Sequence, residues 1–165
     1  MCDTSWLPGL VCLEDYGGNW PAYEDAIYHI FCQDFIESQS WLLDRHVRIN
    51  KTPTHNGRAY TFWHIISDGP VEADRLPNLR RCERIRWPRA IIDAYATDGR
   101  ILYWRIYQKG EWKLKLALPD LSYVMVFSDR SGYVFLKTAF HVDRRHTYEN
   151  LQKEYEENKR TDGAR

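Results

Sequence analysis

An α+β fold is the expectation for this chain of 165 residues, with N-terminal helices followed by a four-stranded antiparallel meander and a C-terminal helix. Three observations predict it. Apolar residues recur at helical spacing between positions 20 and 38. Four runs rich in β-branched and aromatic residues follow one another between positions 100 and 140, separated only by short turn signals. Residues 144–159 have the composition of a closing helix. Strands joined by connections this short pair antiparallel, because a parallel crossover needs about a dozen residues or more.

Taken in order, Leu10–Asp15 is short and apolar and reads as a strand ending at the Gly17-Gly18 turn. Asn19 then stands before Trp20-Pro21, a capping residue followed by a proline in the first helical turn. Trp20, Tyr23, Ile27, Ile30, Phe31 and Phe35 form the apolar stripe of an amphipathic helix, with Glu24, Asp25, Asp34 and Glu37 on its other face. Trp41–Ile49 reads as a strand with Leu43, Arg45, Val47 and Ile49 on one face. Residues 50–59, with Pro53 and Asn56-Gly57, read as a loop or hairpin turn. Ala59–Ser67 is apolar without a decisive period and ends at Asp68-Gly69-Pro70, while Leu76–Trp87 predicts a basic helix stopped by Pro88. The strand runs are Arg100–Gln108, Trp112–Leu118, Ser122–Ser128 and Tyr133–Phe140. Residues 1–160 are expected to form one domain, with 161–165 as a frayed tail.

Charge is unevenly distributed. The 23 basic and 23 acidic residues cancel, yet the first 44 positions hold eight acids and no Lys or Arg. All 23 basic residues and the other 15 acids follow, a balance of +8. Either an acidic helix packs over a basic sheet, or the basic body faces an anionic ligand. No apolar run approaches the ~20 residues of a membrane span, and the N-terminus lacks the basic start and apolar core of a secretory signal. The four cysteines form no CxxC pair, which argues against disulfide and zinc frameworks. A cytoplasmic protein without membrane, metal or cofactor is the expectation.

Several residues are candidates for chemistry. Residues 75–89 hold six arginines and one acid, and helical spacing brings Arg80, Arg84 and Arg81 near one face. Such arginines either hold phosphate oxygens or pair with the acidic leader. His64 is the best acid/base candidate, and the adjacent Trp63 offers a ring for stacking a base, although a histidine among apolar neighbours also serves structure. Lys113 and Lys115 alternate with Trp112, Leu114 and Leu116 and so emerge on one face of a strand. Arg130 lies in the turn before the last strand and Thr138 within it, so cations and a hydroxyl are available to orient phosphate. Glu111-Trp112-Lys113 also fits half of a Mg²⁺-dependent nuclease site, with Asp98 or Asp93 as the partner carboxylate.

Arg84–Arg89, Trp112-Lys113, Tyr123–Arg130 and Phe135–Phe140 together resemble uncharacterised bacterial and prophage-type proteins. Over residues 100–142 the pattern, ending in Thr138-Ala139-Phe140, resembles the barnase, EndoU, colicin and RelE-like group of ribonuclease toxins. The resemblance implies a toxin-like, metal-independent endoribonuclease that turns a 2′-hydroxyl onto the adjacent phosphate, with no cofactor. It implies catalytic roles for Arg130, Thr138 and either Lys113 or Lys115. His64 and Arg84 join them on chemical grounds, and Trp63, Arg80, Arg81 and Lys115 are the candidate RNA contacts. RNA and an antitoxin or immunity protein are the implied partners. A non-catalytic module binding nucleic acid or protein is the main alternative.

Overall fold

The computed structural model describes residues 3–159. Its first half holds α1 (Trp20–Phe35), β1 (Trp41–Leu42), β2 (Arg45–Arg48), α2 (Tyr60–Ile66), β3 (Ser67–Asp68), β4 (Leu76–Pro77), α3 (Leu79–Glu83) and α4 (Trp87–Tyr95). The second half holds β5 (Leu102–Gln108), β6 (Glu111–Ala117), β7 (Tyr123–Asp129), β8 (Tyr133–His141) and α5 (Arg145–Asn158). The α+β class and the N- and C-terminal helices are therefore present. The expected tail lies outside the described residues.

The sheet departs from the expected four-stranded antiparallel meander. It has six strands in the order β1-β2-β8-β7-β6-β5, with β2 running parallel to β8. The reason lies in Trp41–Ile49, which is not one strand. Leu43 and Asp44 both adopt positive φ, 52° and 62°, and fold this stretch into a two-residue hairpin turn. The folded-back β2 then pairs with the first three residues of β8, covering an edge that would otherwise expose unpaired backbone groups. An Arg45–Asp129 ion pair ties the hairpin to the end of β7.

Three other elements differ from the sequence reading. Leu10–Asp15 forms no strand: Val11 makes single tethers, its N–H donating to Glu83 O (2.9 Å) and its carbonyl accepting from the Tyr23 hydroxyl (2.7 Å). Leu13–Tyr16 is a 3₁₀ turn ended by Gly17 at φ 64°. Helix α1 starts where expected, with the Asn19 side chain accepting from Ala22 N–H at 3.1 Å, but ends at Phe35. Pro88 opens α4 instead of stopping a basic helix, since its missing N–H lies in the first turn. The break between α3 and α4 lets Ile85 enter the core at 1% exposure.

Both sheet faces are used. Tyr103, Leu114, Leu116, Met125, Phe127 and Leu136 pack with Tyr23, Ile27 and Phe31 of α1, Phe62 of α2 and Ile91 of α4 in the larger core. Trp104, Ile106, Ala117 and Val124 point the other way and are covered by Leu151 and Tyr155 of α5. The Trp104 indole donates to Glu154 Oε1 at 2.8 Å, fixing α5 on that face. Among the described residues no helix is long and apolar enough to cross a membrane.

Candidate nucleic-acid site

The arginine-rich segment is largely structural. The last carbonyls of a helix have no partner within it and attract cations. Arg75 and Arg81 meet that need for α2. Arg75 Nη2 donates to His64 O (3.2 Å) and Nη1 to Gly69 O (3.1 Å), while Arg81 Nη1 donates to His64 O (3.2 Å) and Ser67 O (2.7 Å). Arg81 also lies 5.4 Å from the centroid of the Phe140 ring. Arg84 donates to Arg80 O at 2.8 Å and stacks over Trp87, and Arg89 binds Asp93, Asp34 O and Gln39 O. Arg80, Arg81 and Arg84 thus do not form a shared phosphate-facing row. Arg80 alone of the three reaches far into solvent, its side chain 67% exposed.

Helix α2 holds His64 in a defined setting. Tyr60 precedes it by one turn and stacks on it, ring centroids 4.3 Å apart. Nε2 of His64 is 2.8 Å from Glu72 Oε2, and the Thr138 hydroxyl donates to the His64 carbonyl at 3.2 Å. Burial and the nearby Arg75 charge pull the imidazole below its ordinary pKa, with Glu72 opposing them. A carboxylate so placed orients the ring and supports a proton arriving on it. Trp63 does not offer a stacking platform. It is 6% exposed, and the His55 ring already lies on it at 4.0 Å and 17°.

The face of the sheet covered by α5 remains open toward the β5–β6 turn, where a second cluster is built. Glu111 Oε1 accepts from Lys137 Nζ (3.0 Å) and the Ser128 hydroxyl (3.3 Å), and Arg130 lies 3.4 Å from Oε2. These donors, the Lys137 hydrogen bond foremost, hold the Glu111 carboxyl below its usual range. Lys113 stands beside them, 3.4 Å from Gln108 Oε1, its amine made less basic by burial and then by Lys137. Lys115 shares this face but serves packing: it is 9% exposed and bridges to Glu154 at 2.7 Å beneath α5.

Strand β8 joins the two clusters. Its register against β7 shifts so that Leu136 faces Phe127 and Thr138 faces Val126, leaving Lys137 as the extra residue of a bulge. Strict alternation puts residues 137 and 138 on opposite faces. The bulge lets Thr138 meet the His64 backbone while Lys137 reaches across β7 to Glu111 at the start of β6. Of the sequence candidates, Thr138 is brought to the His64 backbone carbonyl, and Lys113 and Arg130 lie near Glu111. Arg80 and Arg84 lie outside both clusters.

Sequence reasoning missed Glu72 and Lys137. Glu72 sits eight residues beyond His64 across a loop, which no periodicity relates. Lys137 carried an alternation signal but acquires its partner only through the bulge. The Mg²⁺ arrangement of Glu111 with Asp98 or Asp93 does not form. Asp98 precedes β5 and binds Arg100, and Asp93 binds Arg89 on α4. Glu111 is at the far end of the β5–β6 pair, a strand length on the order of 20 Å away. Among the described residues no three His, Cys, Asp or Glu side chains gather as a metal cluster.

The acidic leader does not cover the lysines. Glu24 and Asp25 pair with Arg58, and α1 packs on the opposite face of the sheet. Asp34 on the same helix is pushed up to about 6 by burial, only partly offset by Arg89. Its folded-state pKa lies above the unfolded value, so native protein binds the extra proton between about pH 4 and 6. Stability from this group is present at the acid end and lost as pH rises through that window. Urea midpoints measured from pH 4 to 7 should show a smaller downward trend for Asp34→Asn than for wild type.

Comparison of the chain with protein-family models, with curated proteins and with solved structures finds no match. The fold and the site define a mixed α+β protein with lysine and arginine side chains around Glu111 on one sheet face.

Proposed function

We propose that the chain is a small toxin-like endoribonuclease that binds RNA along the open sheet face and cleaves it without a metal ion. The observation that carries this reading is the β8 bulge, where Thr138 contacts the backbone of the carboxylate-paired His64 and the preceding residue, Lys137, joins Arg130 on Glu111. On this reading His64, oriented by Glu72, accepts the proton of a ribose 2′-hydroxyl. The freed oxygen attacks the adjacent phosphorus, the bond to the 5′-oxygen breaks, and that oxygen takes a proton from solvent, giving a cyclic phosphate and a 5′-hydroxyl. Lys137, the residue before Thr138, holds the oxygens of that phosphate as charge builds, Lys113 and Arg130 hold the RNA backbone further along the sheet, and Thr138 keeps α2 in place. An acidic inhibitor protein would meet the same cations.

The test is incubation of purified protein with end-labelled RNA and matched DNA, with and without EDTA. RNA cut in both conditions to 2′,3′-cyclic ends, with DNA intact, is the expected result. RNA left whole in both overturns the catalytic reading. Non-catalytic RNA binding at the same face is the second reading, favoured by the engagement of Glu111 with Lys137 and Arg130. Its signature is salt-sensitive binding without product, since each phosphate contact steepens the loss of affinity with salt.

A further inference from the structure

At the tip of the β5–β6 hairpin two aromatic rings stand in solvent beyond the end of the larger core. Tyr107 and Trp112 face each other across the two strands, on the side where Tyr103 and Leu114 are buried further in. They are 64% and 44% exposed, with ring centroids 5.5 Å apart in an edge-on arrangement. A single exposed ring is ordinary, but this pair is held in place. The Arg105 guanidinium lies 4.5 Å from the Trp112 centroid and is itself fixed by Asp129 at 2.8 Å. Lys109 and Gly110, at φ 53° and 80°, close the hairpin in a two-residue turn that sets the tip. Trp112 is thus pinned from behind, and Tyr107 is the more open ring.

The charge around the rings says what covers them. Neither Lys109 nor Lys113 has an ion pair among the described residues, and Lys113 reaches only the neutral Gln108 amide at 3.4 Å. The two carboxylates nearby are each claimed by two cations: Glu111 by Lys137 and Arg130, Asp129 by Arg45 and Arg105. Positive charge is therefore in excess on both faces of the tip. An apolar protein partner seated on the rings would bury unpaired lysines at a cost. A polyanion that also carries flat π faces satisfies rings and lysines together. We propose that the tip grips single-stranded RNA, one unpaired base stacking on Tyr107 beside Trp112 while flanking phosphates sit at Lys109 and Lys113. This rests on the RNA reading above and narrows its substrate class to unpaired stretches. A duplex keeps its bases stacked on one another and offers these rings nothing.

The experiment measures binding of the full chain to end-labelled 2′-O-methyl RNA by fluorescence anisotropy over a range of salt. That probe lacks the attacking hydroxyl, so binding is read without cleavage, and it is offered as a single strand and as a duplex. The single strand is expected to bind at least about tenfold more tightly than the duplex. Tyr107→Ala should weaken the single strand about five- to 150-fold without changing the salt slope, and Tyr107→Phe should restore binding. Lys109→Ala and Lys113→Ala should each flatten the slope by about 0.7, the share of one phosphate contact on a single strand. Urea midpoints of Tyr107→Ala and Tyr107→Phe, altered only at an exposed ring, should match wild type. Equal binding of single strand and duplex overturns the proposal, as does wild-type affinity in Tyr107→Ala. Self-association of wild type that Tyr107→Ala abolishes also overturns it, assigning the rings to a protein contact. Failure to bind either probe removes the RNA reading as well, whereas binding without any cleavage of ordinary RNA removes only catalysis.

Discussion

Replacing His64 with alanine is expected to lower the rate of RNA cleavage between about a hundredfold and ten-thousandfold, the range supplied by one positioned acid/base group. Stability should change little by comparison, because the partly buried ring packs on Tyr60 and the contacts that hold α2 run through its backbone carbonyl. The pH profile separates chemistry from scaffolding. A histidine acting as base must be neutral, so activity rises as pH climbs through its pKa. Burial and Arg75 pull that pKa below the ordinary imidazole value, so the limb should appear at lower pH than for a solvent-exposed histidine. Glu72 works against that displacement. Glu72→Gln should therefore move the limb to still lower pH and also reduce the rate, measured as kcat/KM from pH 4.5 to 8. A limb that stays in place in Glu72→Gln would remove His64 as the titrating base.

Arg81→Ala is expected to destabilise the fold by about 2–3 kcal/mol, read from urea denaturation. The guanidinium makes charge-assisted hydrogen bonds to two carbonyls at the end of α2, each class of bond being worth about 1.5–3 kcal/mol when broken. Arg75 and Thr138 still reach the His64 carbonyl, which limits the loss below a simple sum. Contact with the Phe140 ring adds a packing share that the stem of lysine recovers only in part, so Arg81→Lys should fall between wild type and alanine. Arg80→Ala is the control. Its side chain is 67% exposed with one distant partner, Glu83 at 3.9 Å, and stability should move by less than about 0.5 kcal/mol. A loss at Arg80 equal to that at Arg81 would refute the division between structural and exposed arginines.

That division shows where sequence reasoning stops. Six arginines in fifteen residues look like a phosphate-binding surface because charge density is all a sequence displays. Arg81 and Arg75 instead answer a local demand, the unpaired carbonyls at the end of α2, and that demand is invisible until α2 is known to end beside them. Trp63 misled in the same way. An aromatic beside a histidine reads as a stacking pair, yet its ring is covered by His55 from the preceding loop. Lys113 and Lys115 share a face as alternation requires, but α5 arrives from forty residues downstream and covers only Lys115, through Glu154.

The sequence by itself determined the α+β class, the four long strands from Leu102 to His141, the capped start of α1 at Asn19 and the separation of acidic leader from basic body. Each follows from short-range physics: side-chain periodicity, turn chemistry and composition act within a few residues of one another. The tertiary structure decided the rest. It set β2 parallel on the edge of β8, shifted Lys137 through the bulge to Glu111, and carried Glu72 across a loop to His64. These contacts join residues through space by backbone pairing and charge. Such pairings depend on which edge is free and which carbonyl is unpaired once the chain has folded, and neither condition is written in local sequence.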